Sequence, residues 1–241
     1  MNKKEKEIIS LFEEKNNLKI RLKFFPSLTN PIAVVGSPGL RSVGKLALNS
    51  LVKKLKAKLF LQIYSKSFPV FYETKPSYAP MPGFLGDAGV KFKNSKFILP
   101  KVNFYFAVKP EIILVRGYHA NFQGQYEVAW GVLDLLEKFN VKKMIVLAGY
   151  GMDGPEVCCA ATKKELLDEA KKNFGLDVGY EGPFMGFSGL IFGLAILKNI
   201  DALCLFGKTQ PYPENPEKPD PEAAEKVYLK LCQMLGLNSN L

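Results

Sequence analysis

A glycine-rich turn between a predicted strand and a predicted helix has the spacing of a phosphate-binding loop. In Gly39-Leu-Arg-Ser-Val-Gly44-Lys45 the glycines and the lysine stand where such loops place them around phosphate groups. The next residue should carry a magnesium-binding hydroxyl but is Leu46, and Pro38 removes one backbone N–H donor. Nucleotide hydrolysis is therefore not expected. Two interpretations stay open: a weak anion site at the helix N-terminus, or glycines that allow close packing of strand and helix.

The only histidine, His119, follows a predicted strand at Glu111-Ile-Ile-Leu-Val115. Open α/β sheets bind ligands at the carboxyl ends of their strands, so this position suits a general base. Cys158 and Cys159 follow the turn Gly149-Tyr-Gly151, and a cysteine nucleophile paired with the histidine is one arrangement that the sequence allows. Adjacent cysteines in an apolar segment are more typical of a protein core.

If the chain binds a small ligand, we expect the pocket at the carboxyl ends of the strands. Its predicted residues are Gly36, Gly39, Arg41, His119, Tyr150 and Asp153. Ser37 would join them in an enzyme. No metal site is expected, because the sequence has no Cys-x-x-Cys and no second histidine, and no cofactor is predicted.

Predicted strands and helices alternate along the chain. A short apolar run at Pro31-Ile-Ala-Val-Val35 is typical of a buried strand, and the segment after it has the apolar stripe of a helix. The last helix has a clear start, with Asp220 as the cap and Pro221 in the first turn. This order predicts an α/β fold of three layers, a mostly parallel sheet with helices on both faces.

Two segments depart from this alternation. Residues 1–25 are predicted as an N-terminal charged extension with a short amphipathic helix, and residues 26–241 as a single α/β domain. Residues 68–108 combine Pro and Gly clusters with short alternating segments such as Val90-Lys-Phe92 and Phe97-Ile-Leu99. Such a pattern predicts an insertion rich in β-hairpins that decorates the sheet.

Composition excludes several classes of protein. The 241 residues are 47% hydrophobic and include 18 Phe and 10 Tyr, which is incompatible with disorder, and four cysteines are too few for a disulfide scaffold. The longest uncharged stretch, Gly182–Leu197, falls short of the roughly 20 residues that a membrane span needs. Within it, the spacing of Gly189 and Gly193 predicts a buried helix that approaches a neighbour closely. The start of the chain does not resemble a secretory signal, so a cytoplasmic location is expected.

The basic charge does not indicate nucleic-acid binding. The formal net charge is +10, yet among 33 basic residues only Arg21, Arg41 and Arg116 are arginine. Readers of bases and phosphates favour arginine, and the lysines here are spread along the chain. A lysine-rich solvated surface is the better interpretation, and no specific nucleic-acid partner is predicted.

Four segments, taken in order, resemble the proteasome assembly chaperone family and in particular its archaeal homologues. The resemblance covers roughly the stretch from Pro31 to Gly236. The segments are Gly36-Ser-Pro-Gly39-Leu-Arg-Ser-Val-Gly44, Ile145-Val-Leu-Ala-Gly149-Tyr-Gly151, Gly186-Phe-Ser-Gly189-Leu-Ile and Pro219-Asp-Pro221-Glu-Ala-Ala224.

The resemblance implies a single α/β domain similar to phosphorylase/hydrolase-like folds, without catalytic activity or cofactor. It also implies a homo-oligomer or an assembly with a paralogous chaperone, and binding to proteasome α subunits. The matched glycines and the late helix start have the character of architectural residues. These are Gly36, Gly39, Gly44, Asp220, Pro221, Ala223 and Ala224.

The C-terminal residues depart from the family pattern. Some members end in a hydrophobic-tyrosine-any tail that docks into pockets of the proteasome ring, whereas this chain ends in Asn238-Ser239-Asn240-Leu241. Three alternatives follow: the chain is partner to a tailed relative, it binds through another surface, or it no longer serves proteasomes.

We therefore predict a non-enzymatic, oligomeric assembly chaperone that binds proteasome subunits or a related chaperone. The alternative is a small hydrolase or nucleoside-phosphorylase-like enzyme with its site at the strand ends. Aromatic residues outside regular elements are common interface anchors, although they could equally roof the sheet. The predicted anchors are Phe68, Phe71, Tyr72, Tyr78, Phe84 and the run Phe104-Tyr105-Phe106.

Overall fold

The structure is a computed structural model that describes residue 13 and residues 18–68, 90–119, 122–179, 181–212 and 218–238. Its described strands are β1 (Leu18–Leu22), β2 (Ile32–Gly36), β3 (Lys58–Ser65), β4 (Lys91–Lys93), β5 (Lys96–Ile98), β6 (Val102–Val108), β7 (Glu111–Arg116), β8 (Lys143–Tyr150), β9 (Val157–Ala161) and β10 (Asp201–Lys208). Its described α-helices are α1 (Val43–Lys54), α2 (Gln125–Lys138), α3 (Lys164–Phe174), α4 (Gly186–Leu194) and α5 (Pro221–Met234). Short 3₁₀ turns at Leu40–Ser42 and Ala195–Lys198 precede α1 and follow α4.

Eight strands form one mixed sheet in the order β1-β3-β6-β7-β2-β8-β10-β9. The four central strands β7, β2, β8 and β10 are mutually parallel, and β9 and β6 flank them antiparallel. Because β3 is antiparallel to β6, it runs in the direction of the central strands, so five of the eight strands point the same way. The predicted α/β class with a mostly parallel sheet is confirmed.

Helices cover both faces of this sheet. On β2, Ala33 and Val35 pack with α2 and α4, whereas Val34 between them packs with α1 and α5. All three side chains are fully buried. A strand that is covered on both faces reads as an uninterrupted apolar run, which explains its sequence. The predicted three layers are therefore present.

The last helix starts as the sequence predicts. The Asp220 carboxylate accepts a hydrogen bond from the backbone N–H of Ala223 at 3.0 Å, and Pro221 occupies the first turn. Thr209 donates its hydroxyl to the other carboxylate oxygen of Asp220 at 2.5 Å. The cap therefore also ties α5 to the end of β10.

The N-terminal extension differs from its prediction in the part that is described. The predicted helix of the first fifteen residues lies outside the described residues apart from Glu13. Leu18–Leu22 is a strand, paired antiparallel with β3, and Leu18 is buried. The alternation of apolar Leu18 and Ile20 with charged Lys19 and Arg21 suits the edge of a sheet that has one covered face.

The predicted insertion is described from residue 90 onward, and residues 69–89 lie outside the described part. β4 and β5 form a two-stranded hairpin at the predicted segments. β6 does not decorate the sheet but pairs with both β3 and β7 inside it. Val102 and Phe104, two positions apart on one face of β6, are fully buried in the core, which suits a place inside the sheet.

The described aromatic residues of the predicted interface belong to the core. Phe68 packs against Tyr118 and Phe122, and Phe104 is fully buried against Phe60. Phe106 is half-buried in the same cluster. All three side chains therefore belong to the core cluster that also includes residues of α2 and β3. Phe71, Tyr72, Tyr78 and Phe84 lie outside the described residues.

None of the helices in the described ranges has the length and apolar character that crossing a membrane requires.

Candidate functional site

A cavity of about 290 Å³ opens at the carboxyl ends of β2, β8 and β10, beside the first turn of α4. This is the edge at which open α/β sheets bind ligands. Most of the lining is apolar, and none of the described residues in it carries a charge. The lining residues are Ser37, Pro38, Gly39, Leu40, Gly44, Ala148, Gly149, Tyr150, Gly151, Met152, Pro183, Phe184, Met185, Gly186, Phe187, Ser188 and Phe206.

Two buried hydroxyls form the polar part of the cavity. The Oγ atoms of Ser37 and Ser188 are 2.8 Å apart and share a hydrogen bond. In this bond one hydroxyl donates and the other accepts, and neither has a general base as its partner. The pair joins the end of β2 to the first turn of α4, which is a positioning role.

The glycine-rich turn brings α1 very close to the sheet. A Cβ atom on Gly44 would lie 2.1 Å from the carbonyl oxygen of Leu147 on β8, and one on Gly36 would lie 2.4 Å from the carbonyl oxygen of Gly44. Real Cβ atoms do not approach backbone oxygens this closely. Of the two interpretations of the phosphate-loop spacing, close packing of strand and helix accounts for these glycines.

The same turn uses two of its own N–H groups. The N–H of Ser42 donates to the carbonyl of Gly39 at 3.1 Å, and the N–H of Val43 donates to that of Leu40. Arg41 adopts a left-handed backbone with φ 51°. A phosphate loop needs its N–H groups directed at the ligand, so these two are not available to a phosphate.

The guanidinium of Arg41 is bound to the backbone. It donates to the carbonyls of Lys218 at 2.5 Å and Gln210 at 2.8 Å and lies 5.6 Å from the ring centre of Tyr212. The N–H of Asp220 donates to the Arg41 carbonyl at 2.9 Å. Arg41 therefore fastens the segment before α5 to the glycine turn and does not line the cavity.

The predicted base and acid lie apart from the cavity. His119 is fully buried after β7, and its ring centre is 6.2 Å from that of Tyr118; it is not part of the cavity lining. Asp153 is fully exposed to solvent, with one carboxylate oxygen 3.8 Å from Nζ of Lys208. The structure thus brings only Gly39, Ser37 and Tyr150 of the predicted pocket into its walls.

Tyr150 has a hydroxyl that is already engaged. It donates to the carbonyl of Pro155. Burial, followed by the neighbouring Cys158, Glu156 and Asp153, raises the pKa of the Tyr150 phenol far above its ordinary value. A phenol of raised pKa stays protonated at neutral pH and therefore cannot act as a base, and its proton is donated to the Pro155 carbonyl.

The cysteines have the environment of core residues. All four are buried, and burial is the first cause that raises the pKa of each thiol. The pKa of Cys159 rises to about 11. Nucleophilic cysteines need the opposite shift, because the thiolate is the reactive species.

We expect none of the four thiols of the native protein to react within minutes with Ellman's reagent at pH 8. Buried thiols of raised pKa present almost no thiolate to the reagent. The same protein unfolded in guanidinium chloride serves as the control and should release four equivalents. Rapid reaction of one equivalent in the native protein that is lost in a Cys158→Ser variant would contradict this expectation and support a cysteine nucleophile paired with the histidine.

Among the residues that the structure describes, no three His, Cys, Asp or Glu side chains come together in a group that could hold a metal ion.

One side of the cavity was not predicted as part of a site. Pro183, Phe184 and Met185, with the first turn of α4, form this wall, and Met185 is 63% exposed. The segment stands out in the sequence only as an uncharged stretch, which is also typical of a core helix. A Cβ atom on Gly189 would lie 1.9 Å from the carbonyl oxygen of Phe184. The lack of a side chain at Gly189 therefore allows the first turn of α4 to pack closely against this segment.

Together, these features define a three-layer α/β protein with an uncharged, mostly apolar cleft at the carboxyl ends of its central strands. Comparison with known proteins identifies the family: a model of the PAC2 family matches residues 33–241, and the chain belongs to that family.

Two solved archaeal structures are similar over most of their length. PbaB of Pyrococcus furiosus, described as an archaeal proteasome activator, is 27% identical with a TM-score of 0.74, over 92% of this chain and 90% of that one. PbaA of the same organism, described as an archaeal homolog of proteasome-assembly chaperone, is 27% identical with a TM-score of 0.68, over 92% and 87%. The uncharacterized protein MJ1210 of Methanocaldococcus jannaschii is 26% identical over 92% of this chain and 80% of that protein.

Proposed function

We propose that this protein is a non-enzymatic assembly chaperone that forms homo-oligomers in the cytoplasm. Its partners would be proteasome α subunits or a paralogous chaperone. In this proposal the phosphorylase/hydrolase-like architecture serves as a rigid body that presents surfaces to other proteins.

The observation that carries the proposal is the composition of the cleft. Catalysis at the carboxyl ends of parallel strands usually relies on charged or titratable groups in the cleft; the described lining has no charged group, and the hydroxyl of its tyrosine, Tyr150, is donated to the Pro155 carbonyl. The candidate base and acid, His119 and Asp153, are placed outside it. An apolar cleft with exposed Met152 and Met185 at its rim suits contact with another protein instead.

The relatives support the same class of partner. At 27% identity, the similarity to PbaB and PbaA extends over 92% of this chain. Their descriptions concern proteasome activation and assembly, and we extend that class of role to this chain. Because the tail Asn238-Ser239-Asn240-Leu241 lacks the hydrophobic-tyrosine-any pattern, the proposal assigns binding to the body of the molecule.

We expect the purified protein to have a solution mass well above the 26.9 kDa of one chain. Self-association would bury exposed apolar residues such as Met185 and Leu197. Size-exclusion chromatography with light scattering at micromolar concentration measures the mass directly. A monodisperse species of one chain would contradict the oligomeric part of the proposal.

Binding to the proteasome is tested by pull-down with purified α subunits from the same cell, with and without a tailed relative. The proposal predicts that α subunits are retained in at least one of the two mixtures. Recovery only with the relative would identify this chain as its partner. Absence of α subunits from both mixtures would contradict the assignment of partner.

A further inference from the structure

The hairpin of β4 and β5 stands outside the main sheet and carries most of the large exposed apolar side chains of its region. Its two-residue turn, Asn94 and Ser95, has φ values of 49° and 56°, the left-handed pair that a tight hairpin requires. A two-stranded hairpin is marginally stable by itself in water. The exposed side chains of the hairpin therefore indicate what kind of surface it contacts.

One face of the hairpin is aromatic. Phe92 and Phe97 are directly opposite in the register, with ring centres 5.1 Å apart. They are 66% and 76% exposed, and Val90 and Leu99 beyond them are about half exposed. Surface aromatics that cluster in this way are typical of interface anchors.

The other face is basic. Side chains alternate along a strand, so Lys93 and Lys96, which are also opposite each other, lie on the face away from the phenylalanines. Like charges directly opposite each other destabilise a strand pair. The stretch Ala88–Pro110 contains five lysines and no acidic residue, so no carboxylate within it can neutralise this pair.

The positive charge continues where the hairpin joins the sheet. The pKa of Lys101 is lowered, first by partial burial and then by the nearby cations Arg116, Arg21 and Lys23. A group of cations that repel each other makes a positive local potential. The hairpin and its base therefore form one basic surface with an apolar face.

We propose that the hairpin 91–98 inserts into a crevice of a partner protein that has one apolar and one acidic wall. The aromatic pair would pack on the apolar wall, and the lysine pair would meet carboxylates on the other. Charge complementarity argues for this occupant over a second copy of the chain, whose net charge is also +10.

A nucleic acid fits the hairpin less well. A single strand that stacks its bases on aromatic rings needs cations along the same groove for its phosphates. Here Phe92 and Phe97 are on one face and Lys93 and Lys96 on the opposite one. A protein crevice can contact both faces at once. The inference does not rest on the proposed function, because any acidic protein partner satisfies it.

The test is photo-cross-linking of the full chain with p-benzoylphenylalanine in place of Phe97. The labelled protein is irradiated in an extract of its own cells, and the cross-linked peptides are identified by mass spectrometry. The same group in place of Tyr126, which is 51% exposed on α2, defines the background. We expect a cross-link, specific to position 97, to an apolar segment of another protein flanked by Asp or Glu.

Four outcomes would overturn the inference: a nuclease-sensitive product, a cross-link to another copy of this chain, a cross-link to a surface without acidic residues, or none above background. The identity of the partner separates this inference from the proposed function. A proteasome α subunit or a paralogous chaperone supports both, whereas a different acidic protein supports the inference alone.

Once the cross-linked partner is purified, the affinity of hairpin variants for it measures how much each face contributes to binding. Phe92→Ser with Phe97→Ser, and separately Lys93→Glu with Lys96→Glu, should each weaken binding about tenfold or more. The control is Lys164→Glu with Lys172→Glu, which makes the same charge change at exposed positions of α3. Unchanged affinity in both hairpin variants, with unchanged thermal unfolding, would contradict the proposal.

Discussion

The substitution Gly44→Ala should prevent the protein from folding stably. The new methyl group would lie 2.1 Å from the carbonyl oxygen and 2.8 Å from the carbonyl carbon of Leu147, both backbone atoms of the central strand β8. Neither atom can yield as a flexible side chain would, so α1 must move away from the sheet. We expect the free energy of unfolding to fall by about 3 kcal/mol or more, measured by guanidinium chloride denaturation.

The matched control is Gly39→Ala in the same turn. Its Cβ atom would meet nothing within 4 Å, so the stability should change by no more than about 0.5 kcal/mol. A similar pair exists in α4, where Gly189→Ala meets the Phe184 carbonyl and Gly193→Ala meets open space. If Gly44→Ala and Gly39→Ala prove equally stable, the close approach of α1 to the sheet is not what these glycines provide.

Replacing Lys198 by methionine should destabilise the protein strongly, because it removes one partner of a buried ion pair. Lys198 forms a salt bridge with Asp134, and the two side chains are only 11% and 6% exposed. Its ammonium is also 4.8 Å from the ring centre of Trp130. Removing the lysine leaves the carboxylate of Asp134 buried without this cation, which costs about 3 kcal/mol or more.

The pKa of Lys198 decides how the stability contributed by this ion pair changes with pH. Burial opposes its charge, but the hydrogen bond and attraction of Asp134 prevail and raise the pKa of Lys198 above its ordinary value. A raised pKa means that the contribution is complete below the unfolded pKa of about 10.4 and is lost as the pH rises through the folded value. The stability difference between wild type and Lys198→Met should therefore be constant near neutral pH and shrink only in strongly alkaline solution.

Two variants control the experiment. Lys163→Met removes the partner of Asp201 in an exposed pair, and it should cost less than about 1 kcal/mol. The double variant Lys198→Met with Asp134→Leu should recover most of the loss, because an apolar pair can replace a buried ion pair. If the double variant is no more stable than Lys198→Met, the loss of stability is not caused by the removal of the cation beside the Asp134 carboxylate.

The central architecture was predictable because its signals are local. The run Ile32–Gly36 is apolar at every position, as a strand covered on both faces must be, and the cap at Asp220 is built from neighbouring residues. The antiparallel strands were less predictable. β1 and β6 both pair with β3, which is distant from each of them in the chain, and β6 follows a Pro- and Gly-rich stretch typical of an insertion.

The candidate site was predictable in position and not in chemistry. The rule that ligand sites lie at the carboxyl ends of strands pointed to Ser37, Gly39 and Tyr150, and all three line the cavity. It does not say which way a side chain after the strand turns, and His119 turns into the core while Asp153 turns to solvent. The apolar wall at 183–185 carries no chemical signal in the sequence, since its apolar side chains equally suit a core.

Native mass spectrometry of the protein purified gently from its own cells tests most directly whether this scaffold binds proteins or converts a metabolite. The account predicts masses of several chains together, some with a proteasome subunit or a relative attached, and no small molecule retained in the cleft. A single chain of 26.9 kDa carrying a stoichiometric metabolite would contradict it.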